Sequence, residues 1–382
     1  MMNKADMPAD AQKGALDGLK VLDLSMYLPG PYASMLLADL GADVIHVEPP
    51  TGDLVRVIEP SVGGDSALHH WVGRNKRSCT VDLKSQEGHE LFLGLVRDAD
   101  VVIEGFTPGV AARLGVGYDD CRVVNPDVVY CSISGAGHGH DGSGSPGHDI
   151  NYLARSGFLD QATDAAGSPV PIGPPIADVA AGLHAAVGIL AALRHRDSGG
   201  GGQFIDVGLM GAALAMTGPQ IVKALAPKPM PRDRDHNLGA DPAYRTYRTK
   251  DGRHVVIGAF EGKFWIRLCT LLEREDLISL RHSEPDKAAS ELAGIFRTHD
   301  LQHWNSLLDD ANVCYSPVNR IDEVSRDPLV LARQDFEISE GHAGLLTSMR
   351  NPIRLSATPT ATRSGAPGLD EHGPTVEWMV RG

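Results

Sequence analysis

A strand–helix–strand pattern in residues 16–48 constrains the fold of this chain more than any other feature. A buried strand is predicted at LKVLDLS, a helix at PGPYASMLLADLG and a second buried strand at ADVIHVE. Two strands joined by a helix form a parallel pair with a right-handed crossover. The alternation continues through CTVDL, SQEGHELFLGLVRDA, DVVIEGF and DVVYCSIS. We therefore predict an α/β fold whose large domain is a Rossmann-like open parallel sheet covered by helices.

The organisation changes at the Pro-rich stretch APKPMPRDRD, which begins at Ala224. In the smaller α+β domain beyond it, a β-hairpin is predicted around the turn Asp251-Gly252. After residue 330 the chain is expected to return to the large domain and to end in an irregular tail. The predicted boundaries are a flexible N-terminal tail at 1–15, a large domain at 16–223, a linker at 224–234, a small domain at 235–330 and a C-terminal segment at 331–382.

Charge and cysteine content narrow the classes of function. The chain has 35 Lys and Arg against 49 Asp and Glu, a net charge of -14, which argues against nucleic acid or an anionic membrane as the main partner. A local basic site for a small anion is compatible with that balance. Five cysteines without a C-x-x-C pair indicate a reducing compartment with no disulfide framework. The N-terminus has no apolar signal-peptide core, so a cytoplasmic location is expected.

Familiar cofactor and metal motifs do not fit the sequence. A G-x-G-x-x-G pattern occurs at Gly137, Gly139 and Gly142, but the DGSGSPG that follows cannot open a pyrophosphate-binding helix. The sequence contains neither a P-loop nor a G-x-S-x-G elbow. No metal and no redox cofactor are therefore expected. The weak metal-ligand candidates, whose spacing matches no familiar site, are His138, His140, Asp141 and His148.

The segment PGHDINY carries a sharper signal. His148 and Asp149 lie between a Gly-rich loop and a predicted helix, with Asp149 as its expected N-cap. An imidazole at a helix N-terminus has its charged form disfavoured, so His148 can act as a neutral base. The alternative is a loop histidine that only hydrogen-bonds to backbone.

Two further carboxylates are candidates for acid–base or nucleophilic chemistry. Asp178 precedes a helix rich in Ala, Val and Leu, where burial would raise its pKa and a capping role would lower it. A purely structural cap is the alternative for Asp178. Glu261 lies in GAFEGKFW, at a strand-to-helix junction, where a glutamate is common without any catalytic role.

These residues stand among motifs that resemble the family III CoA-transferases (CaiB/BaiF type), and most closely the α-methylacyl-CoA racemases. The resemblance runs from about residue 16 to 335, through LADLGADVIHVE, RNKRSCTVDLKS, DVVIEGFTPGV, RLGVGY, GHDINY, GILAALRHR and YRTKDGRHVVIGA. It implies an interlocked homodimer whose active site lies between the large domain of one chain and the small domain of the other. It also implies that His148 and Asp178 are the catalytic residues and that Glu261 supports the histidine from the partner chain.

The resemblance implies an acyl-CoA substrate and no separate cofactor. How the chain would bind the phosphates of CoA is open, because related racemases often carry basic residues where this chain has Pro49 and Thr107. The remaining basic candidates for this role are Arg74, Lys76, Arg77, Lys84 and Arg113. Ala136 and His138 also depart from the family's loop and open space beside the acyl chain. The expected CoA-binding residues are Arg74, Val81, Asp82, Leu83, Lys84, Gly105, Phe106, Thr107, Arg113, Gly147, Asp149, Ile150, Asn151 and Tyr152.

Three functions are considered. In a racemase of 2-methylacyl-CoA thioesters, His148 and Asp178 would exchange the α-proton on opposite faces, with the N–H groups of Asp149 and Ile150 receiving the thioester oxygen. In a CoA-transferase, Asp178 would attack the thioester as a nucleophile, without need of His148 or Glu261. A non-catalytic CoA-binding protein is the third possibility. The resemblance favours the racemase.

Overall fold

The computed structural model describes residues 13–164, 166–231, 234–373 and 376–378. The chain divides into two compact units, one reaching Gly218 and resuming at Leu331, the other running from Pro219 to Val330. The division thus falls at Pro219, inside a helix and ahead of the Pro-rich stretch expected as a linker. Residues 1–12 of the expected tail and 232–233 of the expected linker lie outside the described residues.

The first unit contains most of the strands, and the second contributes three. In chain order the strands are β1 (Lys20–Asp23), β2 (Asp43–Glu48), β3 (Ser61–Val62), β4 (Asp65–Ser66), β5 (Lys76–Thr80), β6 (Val101–Glu104), β7 (Val129–Ser134), β8 (Phe204–Gly208), β9 (Tyr244–Arg248), β10 (His254–Gly258), β11 (Tyr315–Pro317), β12 (Phe336–Gly341) and β13 (Gly344–Met349).

Helices alternate with these strands along the first unit and also occur in the second. They are α1 (Pro29–Asp39), α2 (Ala67–Val72), α3 (Gln86–Val96), α4 (Val110–Arg113), α5 (Tyr118–Val124), α6 (Asp149–Arg155), α7 (Phe158–Gln161), α8 (Ile176–His195), α9 (Leu209–Ala224), α10 (Gly262–Leu271), α11 (Asp276–Ser283), α12 (Pro285–Phe296), α13 (Leu301–Leu308) and α14 (Pro328–Arg333). In the second unit, α10 to α13 lie between β10 and β11 in the chain.

The first unit is built on a six-stranded sheet in the order β5-β2-β1-β6-β7-β8, with every neighbouring pair parallel. Successive residues of a strand point to opposite faces, so Val21 joins one apolar cluster and Leu22 the other. Each such fully buried aliphatic side chain stabilises the fold by about 1.5–3 kcal/mol. The predicted α/β class and open parallel sheet are confirmed.

The strand order reverses between β1 and β6. From β1 the chain moves outward to β2 and β5, whereas β6 leads in the other direction to β7 and β8. The loops that leave the carboxyl ends of β1 and β6 therefore diverge and open a crevice, which is where open α/β sheets bind their ligands.

Helix α8 is the longest helix of the sheet's cover. Together with the turn after it, Ile176–Gly200 is long and apolar enough to cross a membrane, with a mean hydropathy of 1.9 and half of its apolar window buried inside the protein. It packs closely on α1, because a Cβ added at Gly182 would come within 2.6 Å of the carbonyl oxygen of Pro29. These contacts are those of a core helix.

The second unit is a three-stranded antiparallel sheet, β11-β10-β9, covered by helices. The predicted hairpin is β9–β10, which pairs Arg248 with His254. Gly252 has a φ of +77° in its turn, a conformation that favours glycine.

The C-terminal segment is more regular than the sequence predicts. The expectation of an irregular chain is wrong for β12 and β13, which form an antiparallel hairpin that pairs Phe336 with Met349. The segment after it contacts strand β5 of the first unit, where Asp370 N–H donates to Ser78 Oγ and His372 N–H to Ser78 O.

Candidate active site

A cleft of about 530 Å³ opens at the carboxyl ends of β1, β6 and β7. It lies where the strand order reverses, as expected for a parallel sheet. Three loops supply most of its wall: the β1–α1 loop, the turn after β6 and the end of the Gly-rich loop before α6. Its lining residues are Ser25, Met26, Tyr27, Leu28, Pro29, Gly30, Ile58, Leu68, Gly105, Phe106, Thr107, Pro108, Ile133, Ser134, Gly135, Ser143, Ser145, Pro146, Gly147, His148, Asp149, Tyr152, Pro175, Asp178 and Leu209.

His148 occupies the N-cap position of α6 and is exposed in the cleft. Its backbone N–H donates to Asn151 Oδ1 at 3.0 Å, which fixes the entry of the chain into the helix. Its ring lies edge-on to Tyr27, with 6.3 Å between the ring centroids. The sequence prediction of Asp149 as N-cap of this helix is wrong by one position, since Asp149 is the first helical residue.

The carboxylate of Asp149 caps a different helix. Its Oδ1 accepts the N–H of Ala177 at 2.7 Å and the N–H of Asp178 at 3.2 Å, so it satisfies two of the unpaired donors at the start of α8. Asp178 is therefore not the cap of α8. It lies in the first turn of the helix, and its side chain faces the cleft.

This arrangement makes Asp178 a weaker acid than an ordinary aspartic acid. Burial raises the pKa of Asp178 to about 7, and the negative charge of Asp149 adds to the effect. Burial also raises the pKa of Asp149, against the lowering by its two backbone hydrogen bonds. With a pKa of about 7, both the protonated and the ionised form of Asp178 are populated near neutral pH.

Tyr152, Gly135 and Gly147 line the cleft together with these two acids and form what we call the cleft floor. The Tyr152 hydroxyl donates to the carbonyl of Gly147 at 3.4 Å. A Cβ at Gly135 would come within 1.9 Å of that hydroxyl, so any larger residue there would displace the Tyr152 ring. Burial and then the charge of Asp178 raise the pKa of Tyr152, which keeps the hydroxyl protonated as a donor.

The structure adds Tyr27, which the sequence analysis passed over. Tyr27 has a φ of +65°, a left-handed conformation rare for a residue with a side chain. Its N–H donates to Asp53 Oδ1 at 3.0 Å, which holds the strained turn and places the ring against His148. Its position in the loop that leaves the carboxyl end of the central strand β1 was the available signal.

The basic residues Arg74, Lys76 and Arg77 are each paired with a carboxylate, so their expected role toward the CoA phosphates stays a prediction. Arg74 is buried and donates to both oxygens of Asp39, at 2.9 and 2.6 Å. Lys76 is buried on Asp23 at 3.1 Å, and Arg77 binds both oxygens of Asp43 at 2.8 Å. Breaking a buried ion pair leaves an uncompensated charge, so the buried pairs of Arg74 with Asp39 and of Lys76 with Asp23 are expected to hold these two cations in place.

The other expected CoA residues fall into two sets. Gly105, Phe106, Thr107, Gly147, Asp149 and Tyr152 line the cleft together with His148 and Asp178. The remainder lie outside that lining: Val81 is buried in the core, Leu83 is half-buried, and Asp82, Lys84, Arg113, Ile150 and Asn151 are exposed.

Glu261 belongs to the second unit, at the residue before α10, and its exposed side chain makes no capping hydrogen bond to that helix. Within the described residues, no group of three or more potential ligands could hold a metal ion. His138 instead contacts Ser132 Oγ at 2.7 Å, and the ring nitrogens of His140 contact backbone oxygens of Asp141 and Ala136.

The family model for CoA-transferase family III matches residues 16–373. The chain belongs to this family. A similar protein is the succinyl-CoA:mesaconate CoA-transferase of Haloarcula hispanica, 34% identical over 376 residues that cover 94% of each chain. The succinate–glutarate CoA-transferase of Agrobacterium fabrum is also 34% identical, covering 96% of this chain and 95% of its own. The crystal structure of a CaiB/BaiF family protein from Brucella suis has a TM-score of 0.82 and 32% identity, covering 94% of this chain and 98% of that one.

These comparisons confirm the predicted family, and the fold agrees with that of the Brucella protein. They also bear on the choice of reaction. The similar proteins are named as CoA-transferases, which agrees with the alternative reading of the sequence rather than with the racemase.

Proposed function

We propose that this member of CoA-transferase family III moves CoA from an acyl-CoA to a free carboxylic acid, with Asp178 as the nucleophile. The observation that carries the proposal is the place of Asp178: in the first turn of α8, facing the cleft, with a pKa of about 7 and its expected capping role taken over by Asp149. Because Asp178 does not cap the helix, its carboxylate is available for covalent chemistry.

The first half of the reaction exchanges one thioester for another. An oxygen of ionised Asp178 attacks the thioester carbonyl, the C–S bond breaks, and a mixed anhydride and the CoA thiolate form. The thiolate then attacks the Asp178 carbonyl of the anhydride, which releases the donor acid and leaves CoA on Asp178 as a thioester. The ionised form of Asp178 that starts the sequence predominates above about pH 7, because its pKa is about 7.

The second half repeats these steps in reverse order with the acceptor. The acceptor carboxylate attacks the thioester on Asp178, displaces the thiolate and forms a new anhydride. Attack by the thiolate on the acceptor's acyl carbon yields the product acyl-CoA and returns Asp178 as a carboxylate. The Tyr152 hydroxyl, which is a protonated donor on the cleft floor, and the N–H groups of Asp149 and Ile150 are the proposed partners for the oxyanions.

CoA is proposed to lie along the turn Gly105–Thr107 and the loop end at Gly147, which share the cleft with Asp178. With Arg74, Lys76 and Arg77 held by buried carboxylates, the exposed cations Lys84 and Arg113 are the proposed phosphate ligands. A homodimer is part of the proposal, and it is supported by a stripe of exposed apolar side chains on α8 at Leu183, Val187 and Leu190.

The racemase is kept as a second candidate because one observation favours it. His148 and Asp178 line the same cleft, as two bases acting on one α-carbon must. In that reaction Glu261 would position His148 from the second copy of the chain.

Two measurements separate the candidates. For the transferase we expect a new acyl-CoA only when a free acid is supplied, and hydroxylamine added during turnover leaves a hydroxamate at Asp178. Asp178→Asn should form no adduct, whereas Asp149→Asn, which keeps a capping oxygen, should still form one. Deuterium appearing at C2 of a 2-methylacyl-CoA in D2O without an acceptor, and without any adduct, would instead establish the racemase.

A further inference from the structure

We propose that the site selects acyl groups that carry no second charge, so that apolar monocarboxylates are used in preference to dicarboxylates, and that Ile58 lies on the selecting wall. The inference rests on the proposed transferase function and adds the class of acid to it.

The charges of the cleft favour an uncharged acyl group. Among its described lining residues the side chains of Asp149 and Asp178 carry negative charge, and neither Lys nor Arg is present. Proteins hold a substrate carboxylate with Arg or Lys, most effectively through paired hydrogen bonds. A distal carboxylate in this cleft would instead stand beside two acids and would push the pKa of Asp178 further upward, away from the nucleophilic form.

Two buried cations of the first unit, Arg56 and Lys76, are already paired with carboxylates. Arg56 donates to Glu48 at 2.7 Å from two nitrogens and to Asp65 at 2.8 Å. Lys76 is buried on Asp23 and on the carbonyl oxygen of Pro31. Turning either toward a substrate would leave a buried carboxylate without its partner.

One part of the wall carries large, mainly apolar side chains. Tyr27, Ile58, Leu68 and Phe106 line the same cleft, and Ile58 is 39% exposed. Large exposed apolar side chains in a cleft gain free energy when an apolar ligand covers them. An acyl chain that covers them should improve kcat/KM by about fourfold for each added methylene.

The test compares acids of equal length on the full chain. Acceptors are butyrate against succinate and hexanoate against adipate, and binding of hexanoyl-CoA and adipyl-CoA is measured separately. We expect kcat/KM at least about tenfold higher for each monocarboxylate, and tighter binding of hexanoyl-CoA. Equal or better use of the dicarboxylates, or equal binding of the two thioesters, would overturn the inference. Tighter hexanoyl-CoA binding without transfer to any acid would sustain the inference and refute the transferase.

A charge placed on the wall tests the role of Ile58. Ile58→Arg should lower the preference for hexanoate over adipate by at least about tenfold, because the guanidinium can pair with the distal carboxylate. Val57→Arg is the matched control: it adds the same charge one residue away, at a side chain that is 79% exposed and outside the lining. The control should leave the preference within about twofold. No change in Ile58→Arg, or an equal change in both variants, would contradict the assignment of Ile58.

Discussion

Two sets of carboxylates in the first unit have opposite chemistry. Asp23 and Glu48 are buried beside Lys76 and Arg56; burial alone would raise their pKa values, but the cations and hydrogen bonds hold both below the ordinary range. At the start of α8 the neighbours of Asp178 include a second carboxylate and its pKa rises to about 7. The comparison teaches that a cation partner decides whether a buried carboxylate stabilises the fold or is left available for reaction.

Replacing Asp178 with Asn should give the largest effect on activity. Transfer should fall by at least about 10³-fold, because the neutral amide of Asn cannot attack the thioester to form the acyl anhydride. Steady-state transfer and a binding titration with acyl-CoA measure the loss of turnover and the retention of binding. Residual transfer within tenfold of the wild type would rule out Asp178 as nucleophile.

The same variant has a predictable effect on stability. The pKa of Asp178 is about 7 in the folded chain and 3.8 ordinarily, so the folded state holds the proton to higher pH than the unfolded state does. This carboxyl therefore costs stability as pH rises from about 4 to about 7, and the cost persists above that range. Asp178→Asn should unfold at higher denaturant than the wild type at pH 8 and equally near pH 4.

Replacing Arg74 with Met removes the cation from a buried carboxylate that has one, the Arg74–Asp39 ion pair. Asp39 would lose the guanidinium that pairs with both its oxygens and would keep the amide donors of Asn75 and Asn351, so we expect about 3–5 kcal/mol less stability in denaturant unfolding. The KM for acyl-CoA of the folded fraction should stay within about twofold, since Arg74 is not available to a phosphate.

Lys84→Met is the matched control, because Lys84 is an exposed cation. It should change stability by less than about 0.5 kcal/mol and raise the KM for acyl-CoA several-fold. A stable Arg74→Met with an increased KM would restore the phosphate role predicted from sequence.

The smallest effect on activity is expected from Asp149→Asn, which changes the charge beside Asp178. Asp149→Asn keeps an oxygen that accepts the N–H groups of Ala177 and Asp178, but it removes the negative charge. The pKa of Asp178 should fall, so at pH 6 the variant should retain about two- to threefold more of its maximal rate than the wild type does. A pH–rate profile with an unchanged midpoint would show that burial alone sets the acidity.

The parts of the fold that could be predicted are those that the local pattern of apolar and polar residues determines. The alternation of strands and helices and the β9–β10 hairpin depend on neighbours in the chain, and both were found. The β12–β13 hairpin was missed because FEISEG and GLLTSM carry only a weak alternation of apolar and polar residues.

The site was predicted less completely, for a physical reason. Arg74 looked like a surface phosphate ligand because its partner, Asp39, lies 35 residues away and no local pattern signals the pair. Asp149 looked like the cap of its own helix, while its carboxylate reaches a helix 28 residues further on. The left-handed backbone of Tyr27 likewise depends on a distant carboxylate, that of Asp53.

The reach of Asp149 has a consequence for how this site tolerates change. One carboxylate oxygen joins the first turn of α6 to the first turn of α8, so it sets the spacing of His148 and Asp178 directly. The length of the chain between the two helices therefore does not determine the distance between His148 and Asp178. A change in the length of the loop between Gln161 and Pro175 should leave the nucleophile in place as long as these hydrogen bonds are kept.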